Sequence, residues 1–155
     1  MNSDIVEICK IYNYYIKNTV ITFEENPLDV AELEDRIYRI ISNFPFYVFE
    51  ENEKILGYTY ADKWQARCAY RYSVESTIYV RNGKYGKGIG TTLYKKLLQE
   101  LYNLNFHSVI AGIALPNLTS QRLHEKFGFV KVAHFTEVGF KFNKWIDVGY
   151  WELIL

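Results

Sequence analysis

The chain contains only two cysteines, Cys9 and Cys68, which lie far apart and have no cluster of histidines beside them. Two such thiols provide neither a disulfide framework nor the ligands of a metal site, and we expect both to be buried as small apolar side chains. No apolar run approaches the roughly 20 residues that a membrane-spanning helix needs. These absences argue against a metalloprotein, a disulfide-stabilised protein and a membrane-spanning protein.

Charge of one sign is also missing, since 18 basic and 18 acidic residues give a formal net charge of +0. Surfaces that bind nucleic acid or anionic lipid carry a basic excess, so we expect neither partner. Residues 1–17 carry acidic side chains and lack the basic start and apolar centre of a signal peptide, which predicts a cytoplasmic protein. The length of 155 residues predicts one domain over residues 1–155.

No repeat, low-complexity stretch or linker interrupts the chain, and its apolar residues recur with helical periods in some segments and extended periods in others. The patterns predict helices over residues 4–18, 29–44, 89–104 and 118–127. They predict strands over residues 46–50, 55–62, 70–80, 108–115, 129–137 and 148–155. This order predicts an α/β protein of the α+β type, with a mixed, mostly antiparallel sheet flanked by helices.

What the sequence does contain is a glycine-rich stretch, residues 79–93, in which a strand runs into a loop and then into an amphipathic helix. Glycines allow the backbone to approach a ligand closely, and the first amides of a helix attract an anion. A glycine-rich connection without a ligand fits this pattern equally well. Spacing excludes two nucleotide-binding loops, because Gly90 is followed by Thr91 without a lysine, and because Gly86, Gly88 and Gly90 are spaced by twos.

The spacing of residues 85–90 resembles the acetyl-CoA loop of the GNAT acetyltransferase superfamily, Gln/Arg-x-x-Gly-x-Gly/Ala. Tyr85 departs from that motif, because it stands where Gln or Arg is usual. Residues 117–129 match the next motif of the superfamily, Asn-x-x-Ser/Ala-x-x-Leu-Tyr-x-x-x-Gly-Phe, with His124 at the tyrosine position. The resemblance implies the GNAT fold and acetyl-CoA as cosubstrate. The cofactor-binding residues that it implies are Ile78, Tyr79, Val80, Tyr85, Gly86, Lys87, Gly88, Ile89, Gly90, Thr91, Asn117 and Ser120.

Further blocks resemble a smaller family, the phosphinothricin and methionine sulfoximine N-acetyltransferases. They include Thr22-Phe23, Trp64-Gln65-Ala66-Arg67, residues 75–80, Leu115-Pro116-Asn117 and Gly139-Phe140-Lys141. The resemblance implies acetyl transfer to the α-amino group of a small amino-acid-like acceptor, such as phosphinothricin, methionine sulfoximine or methionine sulfone, and it implies a homodimer. Acetylation of protein N-termini or lysines, and a non-catalytic acyl-CoA-binding module, are the alternatives.

Glu75 and His124 are the candidate catalytic residues under this resemblance. An α-amino group is largely protonated at neutral pH and must lose a proton before its nitrogen attacks a thioester. Glu75 lies mid-strand, just before the glycine loop, and would accept that proton directly or through water. His124 would protonate the departing thiolate or, alternatively, share the base role. We expect direct transfer in a ternary complex without an acyl-enzyme, although both side chains also fit purely structural roles.

The same resemblance suggests the residues that contact the acceptor. An amino-acid acceptor carries a carboxylate, which a guanidinium binds through two hydrogen bonds. Arg67 and Arg71 lie shortly before the candidate base and are the candidates for this contact, although each also fits an exposed charge. Phe23, Trp64 and Tyr70 are the candidate pocket walls. Aromatic residues make up 17% of the chain, however, so most of them belong to the core.

Overall fold

The computed structural model describes residues 2–155, and Met1, which the predicted domain includes, lies outside them. The helices among these residues are α1 (Asn2–Asn18), α2 (Val30–Ile41), α3 (Ile89–Asn103) and α4 (Leu118–Lys126), and a short 3-10 helix covers Cys68–Tyr70. The four predicted helices are therefore present. Local capping explains one boundary: α2 begins after Asp29, whose carboxylate accepts the Glu32 amide at 2.8 Å while the Glu32 carboxylate accepts the Asp29 amide at 2.9 Å.

The strands are β1 (Phe46–Glu51), β2 (Lys54–Lys63), β3 (Ser73–Val80), β4 (Ser108–Ala114), β5 (Val130–Lys141) and β6 (Lys144–Ile154). The prediction that a strand begins at residue 70 is wrong, because hydrogen bonds from the amides of residues 70 and 71 close a 3-10 turn there. The last two strands are longer than predicted. They form a hairpin in which Phe142 and Asn143 adopt the left-handed conformation of a tight two-residue turn.

In the described residues these strands form one sheet in the order β1-β2-β3-β4-β6-β5. Neighbouring strands are antiparallel except β3 and β4, which are parallel. The parallel pairing ends where Glu75 lies opposite Ile110. β3 then stays paired with β2 as far as Val80, and β4 stays paired with β6 as far as Ala114. The sheet therefore divides into two halves beyond Glu75, and we call this division the fork.

Helices cover both faces of the sheet. Tyr58 of β2 packs among the buried side chains of α1 and α2, whereas the preceding Gly57 lies against α3. Because successive residues of a strand face opposite sides, α1 and α2 lie on one face and α3 lies on the other. α4 shares the face of α3, since the rings of Tyr94 and His124 are 4.9 Å apart. The predicted α+β class, with a mostly antiparallel sheet flanked by helices, is confirmed.

The two thiols differ from the expectation in one respect. Cys9 is buried on α1, but Cys68 is exposed in the 3-10 helix, so the prediction that both are buried is wrong for Cys68. Among the described residues, no group of three or more His, Cys, Asp or Glu side chains is arranged to hold a metal ion. No helix in the same part of the chain is both long and apolar enough to cross a membrane.

Gly57 of β2 determines how closely α3 approaches the sheet. A Cβ atom at this position would lie 2.9 Å from the Tyr79 carbonyl oxygen and 3.1 Å from Leu93 Cδ1. We expect Gly57→Ala to lower the free energy of unfolding by about 1–3 kcal/mol, as overpacking does, in urea denaturation. Gly90→Ala on α3 is the matched control, because a Cβ there meets nothing nearer than 3.4 Å, and it should not lower this free energy. An equal loss in both variants would contradict the packing argument.

Candidate active site

A cavity of about 430 Å³ occupies the fork, and we call it the fork cavity. β3 contributes residues 75–79 to its wall and β4 contributes residues 112–114. The other lining residues come from the loop after α1, the start and middle of α4, β5 and β6: Ile21, Thr22, Phe23, Asn117, Ser120, His124, Val138, Val148 and Tyr150. The two strands thus present their unpaired edges to a space that four other segments enclose.

Glu75 is the one acidic side chain among the residues that line the fork cavity. Gly112 on β4 leaves room for it, because a Cβ there would lie 3.4 Å from Glu75 Oε1 and 3.1 Å from the Tyr150 ring. Within the described residues, no cation or hydrogen-bond donor pairs with the Glu75 carboxylate. Burial raises the pKa of Glu75 above its ordinary value of 4.5, and repulsion from Asp62, its cross-strand neighbour on β2, adds to the rise. Such a carboxylate has the properties of a general base.

His124 lies on α4 beside the same cavity and is only 3% exposed. Its Nδ1 atom is 2.7 Å from the Ser120 carbonyl oxygen. Because a carbonyl only accepts, Nδ1 carries the proton, and Nε2 of the neutral ring has a free lone pair. Burial lowers the pKa of His124, and the hydrogen bond to Ser120 opposes this shift only in part. The neutral imidazole is therefore favoured, with its Nδ1 donor fixed.

A second space of about 380 Å³ extends from the fork cavity towards the glycine loop, and we call it the loop groove. Its lining residues are Tyr15, Ile21, Ile78, Val80, Tyr85, Asn117, Thr119, Ser120 and Leu123. Ile21, Ile78, Asn117 and Ser120 line both spaces, which are therefore adjacent. Asn117 is fixed at this junction because its side chain caps α4, accepting the Ser120 amide at 3.1 Å.

The glycine loop between β3 and α3 has an open side. Gly83, Gly86 and Gly88 have φ angles of 76°, 73° and 78°, which strain residues with a Cβ, and nothing lies within 4 Å of a Cβ built at any of them. α3 follows Gly88 without a side-chain cap and without an acidic residue in its first turn. Its first amides therefore have no competing side-chain acceptor, and the helix dipole favours an anion beside them. The loop fits a phosphate-bearing ligand.

The remaining predicted cofactor-binding residues surround this loop. The Ile89 side chain is buried against Leu56, so only its backbone is left for a ligand. Gly90 lies close to Leu123 of α4, which brings the start of α3 towards the loop groove. Residues 86–91, from Gly86 to Thr91, line neither space, and their contacts with a cofactor stay predictions.

Tyr85, which departs from the superfamily motif, is joined to α1 across the loop groove. The Tyr15 hydroxyl donates to the Val80 carbonyl at 2.5 Å. Because that hydrogen is used, the Tyr15 oxygen accepts from the Tyr85 hydroxyl, 3.0 Å away. Burial raises the pKa of Tyr15, so it remains a donor. This pair links the glycine loop to α1 and to the end of β3.

The predicted substrate-binding residues divide into two groups. Phe23 lines the fork cavity. Trp64 does not line the cavity, but its ring lies 5.6 Å from the ring of Tyr150, which does. Arg67, Tyr70 and Arg71 lie on the exposed segment around the 3-10 helix and line neither space. Arg71 donates to the Cys68 carbonyl and stacks on Tyr72 instead. The structure therefore does not bring these three residues to the cavity, and their contact with an acceptor stays a prediction.

The residues that line the fork cavity but were not among the candidate site residues are Ile21, Thr22, Ser76, Thr77, Gly112, Ile113, Ala114, Val138, Val148 and Tyr150. Val138 reaches the cavity because the β5–β6 register shifts between Phe135 and Gly139, which turns the bulged residues out of the regular alternation. Because alternate residues of a strand share a face, the sequence alone places Val148 and Tyr150 on the same face of β6. Which face borders a cavity depends on the fork, however, and no local pattern encodes that.

The fork cavity and the loop groove are adjacent spaces, with the Glu75 carboxylate in the first and Tyr85 of the phosphate-compatible glycine loop in the second. Acetyl-CoA has this distribution of chemistry, because its thioester is joined by a long arm to a pyrophosphate. The fold and the site define an acetyl-CoA-dependent N-acetyltransferase. The family model described as acetyltransferase (GNAT) domain matches residues 1–149, and the chain belongs to this family.

Characterised relatives agree with this assignment. The chain is 37% identical over 150 residues to a phosphinothricin N-acetyltransferase of Streptomyces viridochromogenes, covering 97% of this chain and 82% of the relative. It is 32% identical over 157 residues to an L-methionine sulfoximine/L-methionine sulfone acetyltransferase of Salmonella typhimurium, covering 99% and 90%. A crystal structure of a phosphinothricin acetyltransferase from Sinorhizobium meliloti in complex with acetyl-CoA superposes with a TM-score of 0.96 at 34% identity, covering 100% of this chain and 85% of that one.

We expect Tyr85→Phe to raise the KM for acetyl-CoA about two- to tenfold, because it removes one neutral hydrogen bond that holds the glycine loop. The KM for the acceptor should change less, since Tyr85 lines only the loop groove. Steady-state kinetics with each substrate varied in turn measure both. Tyr102→Phe, an exposed tyrosine on α3, is the control and should have no effect. An unchanged KM for acetyl-CoA in Tyr85→Phe would show that the Tyr15–Tyr85 pair does not position the loop.

Proposed function

We propose that the acceptor is a small amino-acid-like amine of the phosphinothricin, methionine sulfoximine or methionine sulfone type. The observation that carries this proposal is the fork cavity itself, a space of about 430 Å³ with Glu75 at the fork and both apolar and polar side chains around it. The activities named for relatives at 32–37% identity over nearly the whole chain support it. The alternative acceptors, protein N-termini and lysines, are tested by the assay below.

Glu75 acts as the general base in the proposed reaction. Its raised pKa brings it closer to that of the acceptor ammonium, which eases proton transfer, and its carboxylate has no competing partner in the described residues. Once the amine is neutral, its nitrogen bonds to the acetyl carbon of bound acetyl-CoA. The nitrogen then loses its second proton to Nε2 of His124, and the C–S bond breaks to release CoA as a thiolate. The backbone beyond Glu75 has no β4 partner, which supports a role for the Ile78 amide as a donor to the oxyanion that develops in the tetrahedral intermediate.

The geometry of His124 favours one of its two expected roles. A neutral ring with the proton on Nδ1 has no proton to donate from Nε2, so the resting state cannot protonate a thiolate through that atom. The lone pair on Nε2 can instead accept a proton or a hydrogen bond. We therefore assign His124 a share of the base role, and transfer remains direct, without an acyl-enzyme.

Homodimer formation and a cytoplasmic location complete the proposal. The observation that supports the homodimer is the edge strand β5, on which Val132, Phe135 and Phe140 are 49–55% exposed although apolar, with Trp145 of β6 63% exposed beside them. A second copy that covers this strand could also bring a cation to the acceptor carboxylate, since neither Arg67 nor Arg71 lines the cavity of its own chain.

We expect sedimentation analysis to give a dimer for the wild type and a monomer for Phe140→Asp, because a charge on the apolar edge resists burial. Tyr38→Asp is the control, since Tyr38 is an exposed aromatic residue on α2, away from β5. A monomeric wild type would refute the homodimer, and a dimer unaffected by Phe140→Asp would place the interface elsewhere.

One assay tests the acceptor class and the base together. Thiol release from acetyl-CoA should be stimulated by methionine sulfone and related amino acids and not by peptides. Glu75→Gln should lower kcat about 10²- to 10⁴-fold with little change in the KM for acetyl-CoA. Because folding raises the pKa of Glu75, ionisation at neutral pH destabilises the fold, so Glu75→Gln should not lower the free energy of unfolding. Turnover of peptides alone would refute the acceptor class, and full activity of Glu75→Gln would refute the base.

The pH dependence of kcat distinguishes the two candidate bases. A base works when it is deprotonated, so kcat should fall as the pH drops through the raised pKa of Glu75. Asp62→Asn should shift this acid limb to lower pH, because the Asp62 charge raises the pKa of Glu75. His124→Gln should lower kcat but keep the limb in place. If the fall of kcat at low pH disappears in His124→Gln and keeps its position in Asp62→Asn, the main base is His124.

A further inference from the structure

Lys141 is a buried cation that the reaction described above does not use. It lies at the end of β5, directly before the two-residue turn, and is only 1% exposed. A lysine is almost never buried to this extent unless its ammonium group has a specific partner. The partner lies far away in the sequence, which makes the contact a feature of the tertiary structure.

The Nζ atom of Lys141 donates to the carbonyl oxygen of Thr22 at 2.7 Å. Thr22 belongs to the loop after α1 and, with Ile21 and Phe23, forms one wall of the fork cavity. Burial lowers the pKa of Lys141, while the carboxylates of Glu24 and Glu25 on the same loop oppose that shift. The loop thus supplies both the acceptor atom and compensating charge for this lysine.

A second contact from β5 holds the same wall. The Phe23 ring lies directly against the backbone of Gly139, and a Cβ built on Gly139 would overlap it. Any larger residue at position 139 would therefore displace the ring. Gly139 and Lys141, two positions apart on β5, contact two consecutive residues of the wall, one through van der Waals packing and the other through a hydrogen bond.

The opposite side of the loop is held by the helices. The Tyr12 hydroxyl lies 3.0 Å from Thr22 Oγ1 and donates to Glu24 Oε1 at 2.9 Å, and Arg36 pairs with the same carboxylate oxygen at 2.5 Å. These contacts hold side chains of the loop. The main-chain carbonyl of Thr22, which fixes the path of the backbone at the cavity, is held by Lys141.

We propose that Lys141 is a positioning residue which, together with Gly139, holds residues 21–23 in place as the apolar wall against which the hydrocarbon part of the acceptor packs. This inference rests on the proposed function, because it takes the fork cavity as the acceptor site. Loss of the contact lets the wall move, which weakens acceptor binding more than the binding of acetyl-CoA, since Thr22 and Phe23 line only the fork cavity and Ile21 alone of the wall also lines the loop groove.

Kinetics of Lys141→Met test this role, because methionine keeps most of the length and apolar volume but cannot donate. We expect the acceptor KM to rise about tenfold, with changes of about twofold or less in kcat and in the KM for acetyl-CoA. Lys144→Met is the matched control, since Lys144 pairs with Lys141 across the same hairpin but is exposed, and it should behave as the wild type. Gly139→Ala, which acts on Phe23, should shift the acceptor KM in the same direction.

Hydrogen exchange tests the wall without any acceptor. The amides of Ile21 and Glu24 are hydrogen-bonded within the loop, to Thr19 and Thr22 Oγ1 respectively, so their exchange reports on its order. We expect faster exchange over residues 19–26 in Lys141→Met and Gly139→Ala, with α2 unchanged. Unaltered exchange, or an acceptor KM within twofold of the wild type, overturns the proposal. If no amino-acid acceptor is turned over even by the wild type, the proposed function fails, and the exchange data alone decide whether Lys141 holds the wall.

Discussion

The site depends on the point at which β3 and β4 stop pairing. Their parallel ladder ends at Glu75 and Ile110, and each strand continues beside its other neighbour. Ser76 Oγ, which also contacts the Tyr94 hydroxyl, donates to the freed Ile110 carbonyl at 3.3 Å, so a side chain replaces a bond of the ladder. Because both strands stay paired on their outer sides, the cavity between them has fixed walls and an unpaired backbone edge.

The fork also creates the electrostatic environment of Glu75 and His124, the two proposed bases. It buries Glu75 without a partner in the described residues, which disfavours the charged form. An ionised carboxylate at this position therefore lowers the stability of the fold. The same environment raises the pKa of Glu75 and lowers that of His124, so the two groups approach each other in basicity. Gly112 and the Tyr150 ring complete this end of the cavity, because the missing side chain at Gly112 leaves room for both neighbours.

The parts that sequence reasoning predicted well are those with local causes. Helical periodicity located the four helices, and the glycines located the loop between β3 and α3, where Gly83, Gly86 and Gly88 have positive φ angles. The predictions that failed concern features set by contacts between distant parts of the chain. The strand expected from residue 70 was interrupted by a 3-10 turn, and that turn leaves Arg67 and Arg71 on the surface, away from the cavity for which they were candidates.

The sequence by itself determined the class of protein, because the glycine loop and the Asn117–Phe129 block each carry their chemistry within about a dozen consecutive residues. The tertiary structure alone decided which residues line the fork cavity, the proposed acceptor site. Lys141 meets Thr22 across 119 residues of chain, and Gly139 meets Phe23, through the register of an edge strand and the path of a loop. Such contacts follow from how the sheet pairs and divides, whereas sequence patterns report only the period and turn preferences of neighbouring residues.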